Sequence, residues 1–154
     1  MSEPEPVPTT QHPMTDVVRG AIVGAPFAAL LGMELVDVGD DVVRVRLPFR
    51  AEVTTIGDLV HGGAISALVD VSATAAAWTR ADLARSPRGT TIGFSLNFLQ
   101  GAIATELIAT ARIIQRGRSV QVCEVDVRNA AGGAVARAMV TYKLDHKGDA
   151  RAAT

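Results

Sequence analysis

Two hydrophobic periods alternate along this chain, and each change of period marks a change of element. From Asp16 to Leu31 the pattern suits a short helix, weakened or interrupted by Gly20, Gly24 and Pro26. Met33 to Val38 and Val42 to Leu47 read as strands joined at the turn signal Gly39-Asp40. In the second, Val43, Val45 and Leu47 alternate with Arg44 and Arg46, as a sheet with one wet face requires. A loop from Phe49 to Val60 leads into HGGAISALVDVSATAAAW, which is alanine-rich, free of proline and long enough for a helix. Small or apolar residues surround nearly its whole circumference, the mark of a buried helix. After a loop with Ser86, Pro87 and Gly89, four strand-like runs follow, roughly Thr90 to Leu99, Glu106 to Gln115, Val120 to Arg128 and Ala134 to Leu144. Their turns carry Gly101, Gly117 and Gly132-Gly133.

Four consecutive strands joined by short turns require an antiparallel sheet. One long apolar helix beside it must be covered by it, so the expected class is α+β: a curved antiparallel sheet wrapped around one central helix, the hotdog layout. The expected domain is 14–144, with flexible tails at 1–13 and 145–154.

Composition narrows the functional classes. The 154 residues are 48% hydrophobic and 20% charged, with a formal net charge of -1. No basic block suggests nucleic acid, and the longest apolar run, Ala21 to Met33, is too short to span a bilayer. The acidic, proline-rich start does not read as a secretion signal. One cysteine, Cys123, cannot form an internal disulfide, so a cytoplasmic protein is expected.

Asp70 is the only ionisable residue from Gly62 to Trp78. A carboxylate inside an apolar helix violates local preference, which marks a candidate functional site. A structural aspartate paired with an arginine is the even alternative. His61-Gly62-Gly63 opens the same helix, where unpaired N–H groups and the positive end of the dipole could hold an oxyanion. The plainer reading is tight packing around a hydrogen-bonded histidine. Asp70 follows His61 by nine residues, about 13 Å along the axis and on the opposite face. If both are catalytic, they must come from different subunits, so a dimer is the minimum.

His61-Gly62-Gly63, six residues, then Asp70 resembles the signature of the phenylacetate-pathway (PaaI-like) branch of hotdog thioesterases. Pro26-Phe27 with Leu31-Gly32-Met33 resembles the family's opening segment, Asn97-Phe98-Leu99 its third strand, Arg116-Gly117-Arg118-Ser119 a later turn, and Ala138 to Tyr142 its closing strand. The resemblance covers roughly residues 25 to 144. It implies acyl-CoA hydrolysis with Asp70 as nucleophile or general base. It further implies that the Gly62 N–H polarises the thioester carbonyl, that His61 and Gly63 shape that corner, and that a hydroxyl, Thr91 or the adjacent Thr90, places water or substrate. Thr55 stands where relatives often carry an amide. Coenzyme A enters as part of the substrate, and no separate cofactor or metal is implied. The partner is a second copy of the chain, as a dimer or dimer of dimers.

Arg116, Arg118 and Ser119 could meet the phosphates of coenzyme A, or could form an ordinary solvated turn. Trp78 fits a pocket wall or, more often, plain core. With His12 and His146 in the expected tails, no Ser-His-Asp arrangement is evident. Two rivals remain: a hotdog dehydratase, whose local motifs are missing, and a non-catalytic acyl-CoA-binding protein on the same scaffold.

Overall fold

The computed structural model describes residues 11–149. Residues 1–10 and 150–154, most of the two expected tails, lie outside it. The long helix forms where the sequence predicts it, over Gly62–Trp78. Its buried positions are mostly small, among them Ala64, Ser72, Ala73 and Ala75 to Ala77, so strands can approach its axis closely. We number the strands β1 (Glu34–Gly39), β2 (Val42–Leu47), β3 (Arg88–Phe98), β4 (Leu107–Arg116), β5 (Val120–Asn129) and β6 (Ala134–Asp145). All are antiparallel, in the order β1-β2-β4-β5-β6-β3, and the helix packs on β2 to β6. Alternate residues face it: Val43, Val45 and Leu47 from β2, Leu107, Ala109 and Ala111 from β4, Cys123, Val125 and Val127 from β5. This is the hotdog arrangement.

The order departs from a simple meander in one place. Strand β3 does not pair with β4, its neighbour in sequence, but lies at the far edge against β6. The link between β3 and β4 spends its hydrogen bonds elsewhere: the Val60 N–H donates to the Ala102 carbonyl at 2.8 Å, and Ala104 to Asp58 at 2.9 Å. It therefore crosses the start of the long helix instead of closing a hairpin. The register of β3 on β6 also shifts between Thr91 and Gly93, leaving Ile92 as the extra residue of a bulge.

The helix expected over 16–31 is three pieces. These are α1 (Thr15–Val17), a π-helical stretch over Val18–Val23, and α2 (Pro26–Leu30); the long helix is then α3. Proline supplies no N–H to continue a helix, so Pro26 begins a new one. Gly24 allows the break, since a Cβ there would sit 2.7 Å from the Gly20 carbonyl oxygen.

Two stretches assigned to tails carry defined contacts instead. His12 Nε2 lies 2.9 Å from Asp40 Oδ1. Beyond β6, the Asp82 N–H donates to His146 Nε2 at 3.0 Å and Arg85 donates to Asp149 Oδ1 at 2.6 Å. Hydrogen bonds and one ion pair dock residues that composition alone marks as solvated.

Candidate active site

Asp70 is half-buried on α3, and its partner is a hydroxyl: Thr91 Oγ1 donates to Asp70 Oδ1 at 2.6 Å. Among the described residues no arginine, lysine or histidine forms an ion pair with it. The structural ion pair that could have explained this aspartate is therefore not what holds it. Thr91 sits at the β3 bulge and points to the helix, while its neighbour Thr90 is exposed. The bulge settles which threonine meets the carboxylate.

Beside Asp70 opens a cavity of about 320 Å³. Asp70, Thr74 and Trp78 recur at intervals of four and so share a helix face. The facing wall is Ala21, Ile22 and Ala25 of the irregular N-terminal segment, and Tyr142 of β6 closes the set. The Trp78 indole N–H donates to the Tyr142 hydroxyl oxygen at 2.9 Å. Burial, with the nearby Asp70 charge as a lesser cause, pushes the Tyr142 phenol above its ordinary pKa, so it stays neutral. Sequence reasoning missed Tyr142 and the Ala21–Ala25 wall; only the 61–78 helix advertised itself by an out-of-place charge.

The start of α3 lies apart from this pocket. His61 is its N-cap residue: Nδ1 accepts from the Gly63 N–H at 2.7 Å, which puts any imidazole proton on Nε2. That bond spends the Gly63 N–H. Among the described residues the Gly62 N–H donates to no acceptor, and remains available to a ligand oxygen. A Cβ on Gly62 would meet the Phe98 ring at 3.2 Å, so glycine lets β3 close over the helix start. Thr55 is exposed in the preceding loop, held by its N–H to the Leu59 carbonyl at 2.9 Å. Within one chain, the structure brings Asp70 and Thr91 together and leaves His61, Gly62 and Gly63 two and a half turns away.

The three turn residues divide. Arg116 points inward: its Nε and Nη2 donate to Asp41 Oδ1 at 2.9 and 2.7 Å, and Nη1 donates to the Ala77 carbonyl at 3.3 Å. It caps the negative end of α3 and ties it to the β1–β2 turn. With its donors spent, Arg116 is not free for phosphate, a correction to the sequence reading. Arg116→Met should cost about 2 kcal/mol of stability by urea unfolding, with KM unchanged. Arg118 and Ser119 instead line an open cleft of mixed charge, with Arg88, Lys143 and Lys147 beside Asp145 and Asp149.

Cys123 is buried and its thiol is pushed up to about 12, chiefly by burial, so it remains an unreactive thiol.

A family model described as the thioesterase superfamily matches residues 57–136, just over half of the chain, and that match includes α3 and strands β3, β4 and β5. The chain belongs to the thioesterase superfamily. As such it is a thioester hydrolase. Among its relatives is a protein of Mycobacterium tuberculosis strain H37Rv whose esterase activity is inferred, 27% identical over 84% of this chain and 93% of the relative. A conserved protein from Pseudomonas aeruginosa has a similar structure (TM-score 0.72, 29% identity, covering 79% of this chain and 94% of that one). A thioesterase from Haemophilus influenzae shares the fold with a TM-score of 0.76 at 18% identity, over 86% of this chain and 92% of that one. No helix among the described residues is long and apolar enough to cross a membrane.

Proposed function

We propose that this thioesterase superfamily member hydrolyses acyl-CoA to a free acid and coenzyme A, in the manner of its PaaI-like resemblance. The observation that carries the reading is the Asp70–Thr91 hydrogen bond beside a largely apolar cavity. A carboxylate held by one hydroxyl and not neutralised by a cation is free to take a proton or attack carbon.

The reaction needs a donor for the carbonyl oxygen, and the Gly62 N–H suits it, at a helix start where the dipole favours negative charge. That donor comes from the other subunit. Strand β3 is an edge strand that contacts both half-sites of its own chain, through Thr91 near its start and Phe98 at its end. Antiparallel pairing of two such edges exchanges their ends. The Asp70–Thr91 end of one protomer then lies beside the helix start of its partner. Exposed Ile92, Phe94 and Phe98 favour that pairing.

Asp70 then acts as base or nucleophile. As base, it takes a proton from water as the water oxygen bonds to the carbonyl carbon; the C–S bond breaks and the coenzyme A sulfur is protonated. As nucleophile, its oxygen displaces the sulfur to form an anhydride, which water opens. Thr91 keeps the carboxylate aimed in either case.

In the cleft that Arg118 and Ser119 share with Arg88, Lys143 and Lys147, and with the carboxylates of Asp145 and Asp149, Lys143 is already paired with Asp145 at 3.2 Å, and the Arg88 and Arg118 guanidinium groups suit the phosphates of coenzyme A. Thiol release from acyl-CoAs tests the activity; absence of release with every chain tried would refute it. Arg118→Ala should raise KM for acyl-CoA about fivefold, equal to ~1 kcal/mol, and leave acyl thioesters that lack phosphate unaffected. An equal change on both substrates would remove Arg118 from phosphate binding.

A further inference from the structure

The cavity beside Asp70 runs along α3 as far as Trp78. Asp70 and Trp78 are eight residues apart on one helix, about 12 Å along its axis. An extended chain advances about 1.2 Å per bond, so about ten bonds fit between them. The cavity of about 320 Å³ has room for such a chain. At the far end stand the Trp78 indole and the Tyr142 ring, held together by their 2.9 Å hydrogen bond. Gly89 completes that lock from behind, since a Cβ there would fall 2.1 Å from the Tyr142 hydroxyl oxygen.

The walls set the chemistry of the occupant. Ile22 and Val71 are apolar, Ala21 and Ala25 are small, and the polar groups near the floor are the Thr74 hydroxyl and the Tyr142 hydroxyl already engaged by Trp78. No cation lines the cavity, and Asp70 is the one charged residue of its lining. A terminal carboxylate would be desolvated without a partner there.

Resting on the acyl-CoA reading above, we infer that this cavity is the acyl pocket and that it selects an uncharged acyl group of up to about ten carbons. Trp78 sets the length. Ala25, from the segment that is π-helical just before it, sets the width. The irregular N-terminal helix is thus a wall of the specificity pocket, consistent with the habit of π-helical turns to occur at functional sites.

The experiment is a chain-length series from acetyl- to palmitoyl-CoA, comparing kcat/KM for wild type, Ala25→Leu and Trp78→Ala. Affinities of the matching S-alkyl coenzyme A thioethers, which cannot be hydrolysed, are measured in parallel. In wild type both quantities should rise about fourfold per added methylene while the pocket fills, and stop rising near ten carbons. Ala25→Leu, at a half-buried position with room on the cavity side, should bring that break to shorter chains. Trp78→Ala should move it to longer ones. A profile still climbing at sixteen carbons, or a break that stays put in folded Ala25→Leu, overturns the inference. Thioethers that keep the break while no thioester is cleaved would support the pocket and refute hydrolysis.

Discussion

Replacing Asp70 with asparagine is expected to lower kcat about 10³-fold without weakening the fold. The amide is the same size as the carboxylate, and its oxygen can still accept the Thr91 hydroxyl, now 2.6 Å from Oδ1. Positioning is therefore retained while basicity and nucleophilicity are lost. The stability readout separates this from a structural role. Asp70 is half-buried with no ion-pair partner among the described residues, so the isosteric amide breaks no bridge and keeps the hydrogen bond. The urea midpoint of the variant should equal or exceed that of wild type. Turnover within tenfold of wild type would exclude Asp70 as the reacting group, and a collapsed midpoint would show that it serves the fold.

Gly62→Pro should be nearly as damaging, about 10²- to 10³-fold in kcat, through loss of one hydrogen atom from the backbone. Gly62 is the first residue of α3, the helical position where proline is tolerated. The preceding His61 has φ −65° and ψ 133°, the conformation a residue before proline prefers. Among the described residues the Gly62 N–H has no acceptor to lose. The added ring meets Phe98, which is 55% exposed and can turn aside. Gly62→Ala adds the same Cβ but keeps the N–H, and should lose far less. Equal losses in the two variants would assign the effect to Phe98 and not to the donor. Mixing the variants tests the shared site: a dimer with one Asp70→Asn and one Gly62→Pro subunit keeps one intact pair. Co-expression should restore about a quarter of wild-type activity, whereas a site confined to one chain would recover nothing.

Much of this was legible in the sequence, for physical reasons. The bounds of α3 and of the strands follow from hydrophobic period and glycine turns, both local properties. The place of β3 at the far edge could not be read the same way. Which strand it joins depends on pairing across some fifty residues, and a short link looks the same whether it closes a hairpin or crosses a helix end. Asp70 was legible because a charge inside an apolar helix is a contradiction that local rules expose. Its choice of Thr91 over Thr90 was not, because the bulge at Ile92 decides which hydroxyl faces inward. Arg116 misled for the opposite reason: its partner Asp41 lies 75 residues away, and no turn motif encodes that distance. The cavity wall of Ala21 and Ala25 left no mark, since alanine suits core, surface and pocket alike.

Strand β3 carries one more consequence, for the life of the chain before assembly. Past Arg88 its residues to Phe98 include no charge and no proline, the two devices that usually guard an open edge. Ile92, Phe94 and Phe98 stand exposed along it. A newly made protomer thus presents an adhesive strand that any compatible strand can extend. In the proposed dimer, pairing with its twin would remove that hazard in the same step that completes the site. If that dimer forms, variants that prevent pairing should be lost to precipitation in cells before they are lost to poor turnover.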